Sequence, residues 1–205
     1  MCIRDSVYYA SWMDKYRDTP EFRNVEHVSY VDADMQLVDT LRKGKTNCVV
    51  ELMHAIDRLK DYRNMSDSLV RLNLMYVIHI VGDMHCPSHV KYPGCKSGRA
   101  DLNGKKMSYH AMWDWGVLDG AHGWSYSEYR LLLDTFSKRE KAGMAKGTPR
   151  EWLYETAVAC RVIYDWQRAD GTYGKQFVTD TYLLPERQLI LASYRLAAVL
   201  NDLFG

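Results

Sequence analysis

What the chain lacks narrows its class before any motif is read. It has no surplus of either charge: among 205 residues, 27 Lys and Arg face 26 Asp and Glu, a formal net charge of +1. A strongly basic nucleic-acid wrapper and an acidic disordered tail are both excluded. No apolar run approaches the roughly 18 residues of a membrane-crossing helix, and the mean hydropathy is −0.38. Prolines number five and glycines 13, too few for a turn-rich sandwich, so long regular elements are expected. There is no Cys-x-x-Cys among Cys2, Cys48, Cys86, Cys95 and Cys160, which argues against a thiolate zinc finger or ribbon. Spacing leaves two readings of the cysteines open: bridges pairing Cys86 with Cys95 and Cys48 with Cys160, or buried reduced thiols.

What is there is a 47% hydrophobic chain with 15 Tyr and 6 Trp, enough for one domain with a sizeable aromatic core. Residues 1–6 have neither a basic nor an apolar signal region and read as a non-native leader. Residues 7–205 read as a single domain that lacks its N-terminal part. Helical periodicity runs from Asn47 to Tyr62, capped by Thr46 or Asn47. A second run, capped by Ser66 or Asp67, is apolar almost all round through Val81 and predicts a central buried helix. Residues 109–118 predict a short helix after Ser108, and Ser125 with Glu128 forms a capping box for a helix to about Ser137. Pro149 and Pro185 suit the first turns of helices ending near Trp166 and Leu203. Val25–Val31 and Tyr173–Tyr182 are weak extended candidates, and Lys138–Lys146 reads as a solvated charged loop. The expected fold class is all-α, a single multi-helix domain.

The chemistry concentrates in His79-Ile-Val-Gly-Asp83-Met-His85-Cys-Pro-Ser-His89, at the end of the most apolar helix. His79 and Asp83 stand at i and i+4, so both leave one helical face. Burying an imidazole and a carboxylate there is costly unless they are paired or bind metal. Pro87 stops the helix, so His89 can fold back from the loop, whereas His85 stays open, within the motif yet two residues from Asp83 and so pointing off the shared face. His110-Ala-Met-Trp-Asp114 repeats the pairing. One such pair is ordinarily an intrahelical hydrogen bond. Two of them with a loop histidine, and no thiolate, favour zinc or a similar first-row ion, and more than one. His54 and His122 read as structural.

These motifs resemble those of the S1/P1 nuclease family, zinc-dependent enzymes with an α-helical fold related to bacterial phospholipase C. The family carries a His-x-x-Gly-Asp-x-His-Gln-Pro-x-His-like motif and, downstream, His-x-x-Trp-Asp. Ser11-Trp12-Met13-Asp14-Lys-Tyr-Arg17 is similar to a third family segment, and Glu26-His27-Val-Ser-Tyr30-Val31-Asp32 fits a fourth loosely. The resemblance implies that Asp14, His27, His79 and Asp83 hold one zinc, and His89, His110 and Asp114 a second. Asp83 would bridge the first zinc to a third, whose remaining ligands have no counterpart here. Two sites are therefore expected to be encoded, with the third incomplete.

Catalytic roles are implied for Asp14, which would orient a zinc-activated water, for Asp83, and for Arg17, which would pair with phosphate oxygens. Tyr30 and Asp32 would hold a nucleobase. The implied activity is hydrolysis of single-stranded DNA or RNA and of nucleotide 3′-phosphates, in an extracytoplasmic setting, periplasmic or secreted. No stable protein partner is implied. The alternatives are a phospholipase C-like phosphodiesterase and a catalytically inactive zinc-bound binding protein.

Overall fold

A computed structural model describes residues 8–20, 22–41 and 44–205; the leader assigned to residues 1–6, with Cys2, lies outside them. The fold is all-α, ornamented by short strands. Helix α1 (Trp12–Tyr16) is followed by strand β1 (Ser29–Tyr30), then α2 (Cys48–Leu59) and α3 (Asp67–His85). A 3-10 turn over Pro87–His89 leads into β2 (Val90–Lys91), β3 (Arg99–Leu102) and β4 (Lys105–Ser108). Next come α4 (Tyr109–Ala111), a π-helical turn over Met112–Gly116, and α5 (Val117–Ala121). The chain finishes with α6 (Tyr126–Leu133), α7 (Lys138–Met144), α8 (Pro149–Cys160), β5 (Thr172–Tyr173), α9 (Lys175–Thr181) and α10 (Leu183–Phe204).

Local chemistry accounts for the boundaries. Asn47 caps α2 by accepting from the Val49 N–H at 3.3 Å, and its amide donates to the carbonyls of Tyr30 and Val38 at 2.9 and 3.0 Å. One buried side chain thus ends a helix and pins the preceding loop to it. Helix α3 buries most of its C-terminal half, including Val77, Ile80, Val81 and Met84, as a nearly all-round apolar pattern requires. It packs against α2, α8 and α10 around one core cluster. A second cluster gathers Tyr109, Trp113, Ile163, Tyr173 and Phe177 beside the β-hairpin.

Several sequence expectations need correcting. Lys138–Met144 is a helix, not a solvated loop, because Ser137 and Glu140 form a full capping box. Of the extended candidate Tyr173–Tyr182, only Tyr173 lies in a strand; Lys175–Thr181 is helical. The other candidate, Val25–Val31, contributes the strand Ser29–Tyr30, with Val25 and Val31 in isolated bridges to Thr46 and Leu37. The β3–β4 hairpin was not anticipated. It turns on Asn103 and Gly104, both in the left-handed region at φ 54° and 86°, the signature of a tight hairpin turn. Neither expected disulfide forms: Cys48, Cys86, Cys95 and Cys160 are all free. Cys48 and Cys160 are buried as small apolar residues, with Cys48 Sγ 3.3 Å from Ser29 Oγ. Cys86 turns towards the π-helical segment, 3.8 Å from the Trp113 carbonyl.

Candidate metal centre

Three pieces of backbone converge on the end of α3. Trp12 and Met13 are buried, and the Trp12 ring lies 4.3 Å from Phe22 and 5.8 Å from Tyr76, centroid to centroid. That anchor docks α1 on α3 and delivers Asp14. The segments of His27 and His89 are laid side by side by the parallel pairing of β1 with β2, Ser29 opposite Val90 and Tyr30 opposite Lys91. The π-helical turn brings Asp114 to the same place. Such turns widen a helix by one residue and recur at functional sites.

The resulting side chains form two groups. Ligand atoms of Asp14, His27 and His79 lie within 4.8 Å of one another, and so do those of Cys86, His89 and Asp114. Asp83 stands between the groups, its Oδ2 3.0 Å from His79 Nε2 and 3.3 Å from His89 Nδ1. His27 Nδ1 lies 3.5 Å from Asp14 Oδ1, and His89 Nε2 lies 3.4 Å from Asp114 Oδ1. The Nδ1–H of His79 donates to the Ala10 carbonyl at 2.6 Å, which fixes the tautomer and leaves Nε2 free to ligate. His110 stacks on His89 with ring centroids 4.6 Å apart, beside the group of Cys86, His89 and Asp114.

The electrostatics of this pocket call for positive charge. Burial lowers His89, yet Asp114 and Asp83 outweigh it and push the imidazole up to about 10. Burial raises Asp83, but His79 and His89 hold its carboxyl well below the usual carboxylate range. His27 is lowered by burial and by His79, and His110 by burial and by His89, so both favour the neutral, ligating form.

Hydrogen bonding points the same way. Eight buried side-chain nitrogen and oxygen atoms among the described residues have no hydrogen-bond partner, and six of them are His27 Nδ1 and Nε2, His79 Nε2, Asp83 Oδ2 and His89 Nδ1 and Nε2. Each such atom costs about 1–3 kcal/mol, so this cluster alone rivals the whole stability of a typical domain, about 5–15 kcal/mol. Divalent cations satisfy both the lone pairs and the charge, and imidazole with carboxylate suits zinc.

The remaining sequence-predicted residues lie at the edges. Arg17 is exposed at the C-terminal end of α1, near enough for its charge to act on His27. Tyr30 is half-buried on β1. Asp32 is exposed, and its Oδ1 accepts from the N–H groups of Asp34 and Gln36, both at 2.9 Å, holding a turn in which Met35 adopts φ 62°. His85 faces away from the centre, as its position off the shared face predicts, and meets Arg195. His122 ties the end of α5 to Glu186 of α10 at 2.8 Å. Cys86 is the member of the cluster that sequence reasoning missed. The sequence reads it as a disulfide partner or a buried thiol, although it stands three residues before His89 across a proline turn.

Comparison with known proteins identifies the family. Residues 3–205 match a family described as S1/P1 Nuclease. The chain is 25% identical to Endonuclease 4 of Arabidopsis thaliana over 234 residues, covering 98% of this chain and 78% of that protein. It is 27% identical to Endonuclease 2 of the same plant over 184 residues, 78% of this chain and 63% of the relative. With Nuclease S1 of Aspergillus oryzae it shares 28% identity over 164 residues, 72% of this chain and 56% of the relative.

Proposed function

The chain belongs to the S1/P1 nuclease family, hydrolases acting on nucleic acid, and we propose that it cleaves single-stranded DNA or RNA and nucleotide 3′-phosphates with the help of zinc. One observation carries the metal dependence: the unpartnered, buried histidine and carboxylate atoms gathered around Asp83. Asp14, His27, His79 and Asp83 would hold one ion, and His89, His110 and Asp114 a second. Divalent ions held there would supply hydroxide at neutral pH and offset the charge that grows on a phosphate during displacement. An extracytoplasmic setting goes with the family kinship. No helix among the described residues is long and apolar enough to cross a membrane.

The chain's own residues divide the remaining work. Asp14, the most exposed carboxylate of the cluster with 58% of its side chain accessible, orients the attacking water. Arg17 lies three residues along the same helical end and offers a planar fork of N–H donors to two phosphate oxygens. The half-buried ring of Tyr30 presents a face on which a base can stack. Asp32 is pre-oriented by the two N–H groups on Oδ1, which leaves Oδ2 to accept from a base edge.

The test is cleavage of a single-stranded oligonucleotide by the full chain with and without a chelator, alongside elemental analysis of bound zinc. Chelator-sensitive cleavage with two ions per chain is the expected result. Diacylglycerol release from phosphatidylcholine without nucleic-acid cleavage would transfer the site to a phospholipase C-like reaction, and retained zinc with neither activity to a binding protein. Arg17→Ala should slow turnover by about a hundredfold, the scale of losing one donor to a developing oxyanion, while zinc content stays at the wild-type value. A simultaneous loss of zinc would show that Arg17 supports the fold of the site rather than the phosphate.

A further inference from the structure

We propose that Cys86 is a ligand of the second metal site, which it makes a thiolate, imidazole and carboxylate centre with His89 and Asp114. The proposal rests on the reading of His89 and Asp114 as metal ligands. Cys86 Sγ, a His89 ring nitrogen and an Asp114 carboxylate oxygen lie within 4.8 Å of one another, and Sγ is 3.4 Å from Asp114 Oδ1. His89 is 7% exposed, and neither of its ring nitrogens has a hydrogen-bond partner, so an unsatisfied buried side chain is aimed at the same point.

The backbone holds this arrangement. Cys86 is the C-cap of α3, and the His89 N–H donates to the Cys86 carbonyl at 3.0 Å across the Pro87 turn, so both side chains are delivered by one tight loop. Where the S1/P1 motif carries Gln between His and Pro, this chain carries Cys86. A carboxamide is neutral, whereas a thiolate adds a full negative charge and a soft donor, which raises preference for zinc and cadmium over hard cations. Binding replaces the S–H bond by a sulfur–metal bond, and the thiol proton leaves to solvent.

The experiment is a Co2+ titration of the metal-stripped full chain, read by absorption, in wild type, Cys86→Gln, Cys86→Ser and a Cys95→Ser control. The expected result is a near-ultraviolet sulfur-to-cobalt band in wild type and Cys95→Ser that is absent from both Cys86 variants, while the visible cobalt bands persist in all four. Cadmium preference over zinc should fall on the order of tenfold in Cys86→Gln. Visible bands without the sulfur band in wild type would overturn the role of Cys86 and leave the metal reading standing. A sulfur band that survives in Cys86→Gln would assign it to another thiol and also overturn the proposal. No cobalt binding at all would remove both. If the Cys86 variants lose their helical circular dichroism, alkylation of the wild type decides: Cys86 protected by Cd2+ supports ligation, and equal labelling with and without Cd2+ refutes it.

Discussion

Asp83→Asn is expected to lower phosphodiester cleavage by about a thousandfold or more, about 4 kcal/mol of transition-state stabilisation, and to cost the chain at least one bound ion. The reason is position. Asp83 Oδ2 lies within 3.3 Å of a ring nitrogen in each metal-binding group, His79 in one and His89 in the other. Asparagine fills the same volume, so packing around the end of α3 survives. It carries no charge, however, and it turns either a donor or a single acceptor towards two imidazole nitrogens, His79 Nε2 and His89 Nδ1, that have no hydrogen-bond partner. Removing a shared carboxylate therefore weakens both groups at once. Asp114→Asn serves as the contrast, because Asp114 belongs to the second group alone. It should lower metal content at that site and leave the Asp14, His27 and His79 group loaded. Zinc analysis, oligonucleotide cleavage and circular dichroism on the three proteins check this, and a folded Asp83→Asn chain with full zinc and the wild-type rate would sink the assignment of Asp83.

The site was legible in the sequence to the extent that it is helical and periodic. His79 and Asp83 on one face of α3 follow from a spacing of four, and the strongly apolar sequence around them marks the face as buried. The same spacing singles out His110 and Asp114, but it does not show that the helix widens into a π-turn there, with Asp114 in the cluster and His110 stacked on His89 beside it. The nearness of Cys86 to His89 is legible in the sequence, but its contact with Asp114, 28 residues away, is not, because no local period connects them. Asp32 matched a substrate-binding pattern, yet one oxygen is committed to its own turn, a use that the residue type equally predicts. Two misses in the fold were avoidable. Asn103-Gly104 is a strong hairpin signal, and Ser137 with Glu140 repeats the capping box recognised at Ser125. In the second case the charge-rich composition of Lys138–Met144 suits a solvated loop, but the capping box makes it helical.

His85 shows what tertiary structure adds, and it carries the second large effect: in the chelated protein it should remove about 3 kcal/mol of stability as pH falls from about 6.5 to about 4. The ring is 1% exposed. Its Nδ1–H donates to the Val81 carbonyl at 2.7 Å, and Nε2 accepts from Arg195 Nη1 of α10 at 2.9 Å. Arg195 in turn pairs with Glu155 of α8 and donates through Nε to the Met144 carbonyl. Burial, and then the guanidinium charge, hold His85 down to about 4 against its ordinary 6.5, although the Val81 carbonyl pulls the other way. The folded chain thus refuses a proton that the unfolded chain accepts below 6.5, so the stabilisation is complete above that pH and drains away down to about 4. His85→Gln keeps an acceptor for Arg195 and removes the titration. Urea unfolding at two pH values spanning this window should show wild type losing about 3 kcal/mol more than the variant. His27 and His110, also depressed, contribute with the same sign in both proteins and cancel in the difference. His89 works in the opposite sense, its contribution lost only as pH rises towards about 10, outside the window. Equal losses in the two proteins would mean that His85 accepts a proton within the folded chain as readily as it does in the unfolded one, and that the contact with Arg195 imposes no charge penalty.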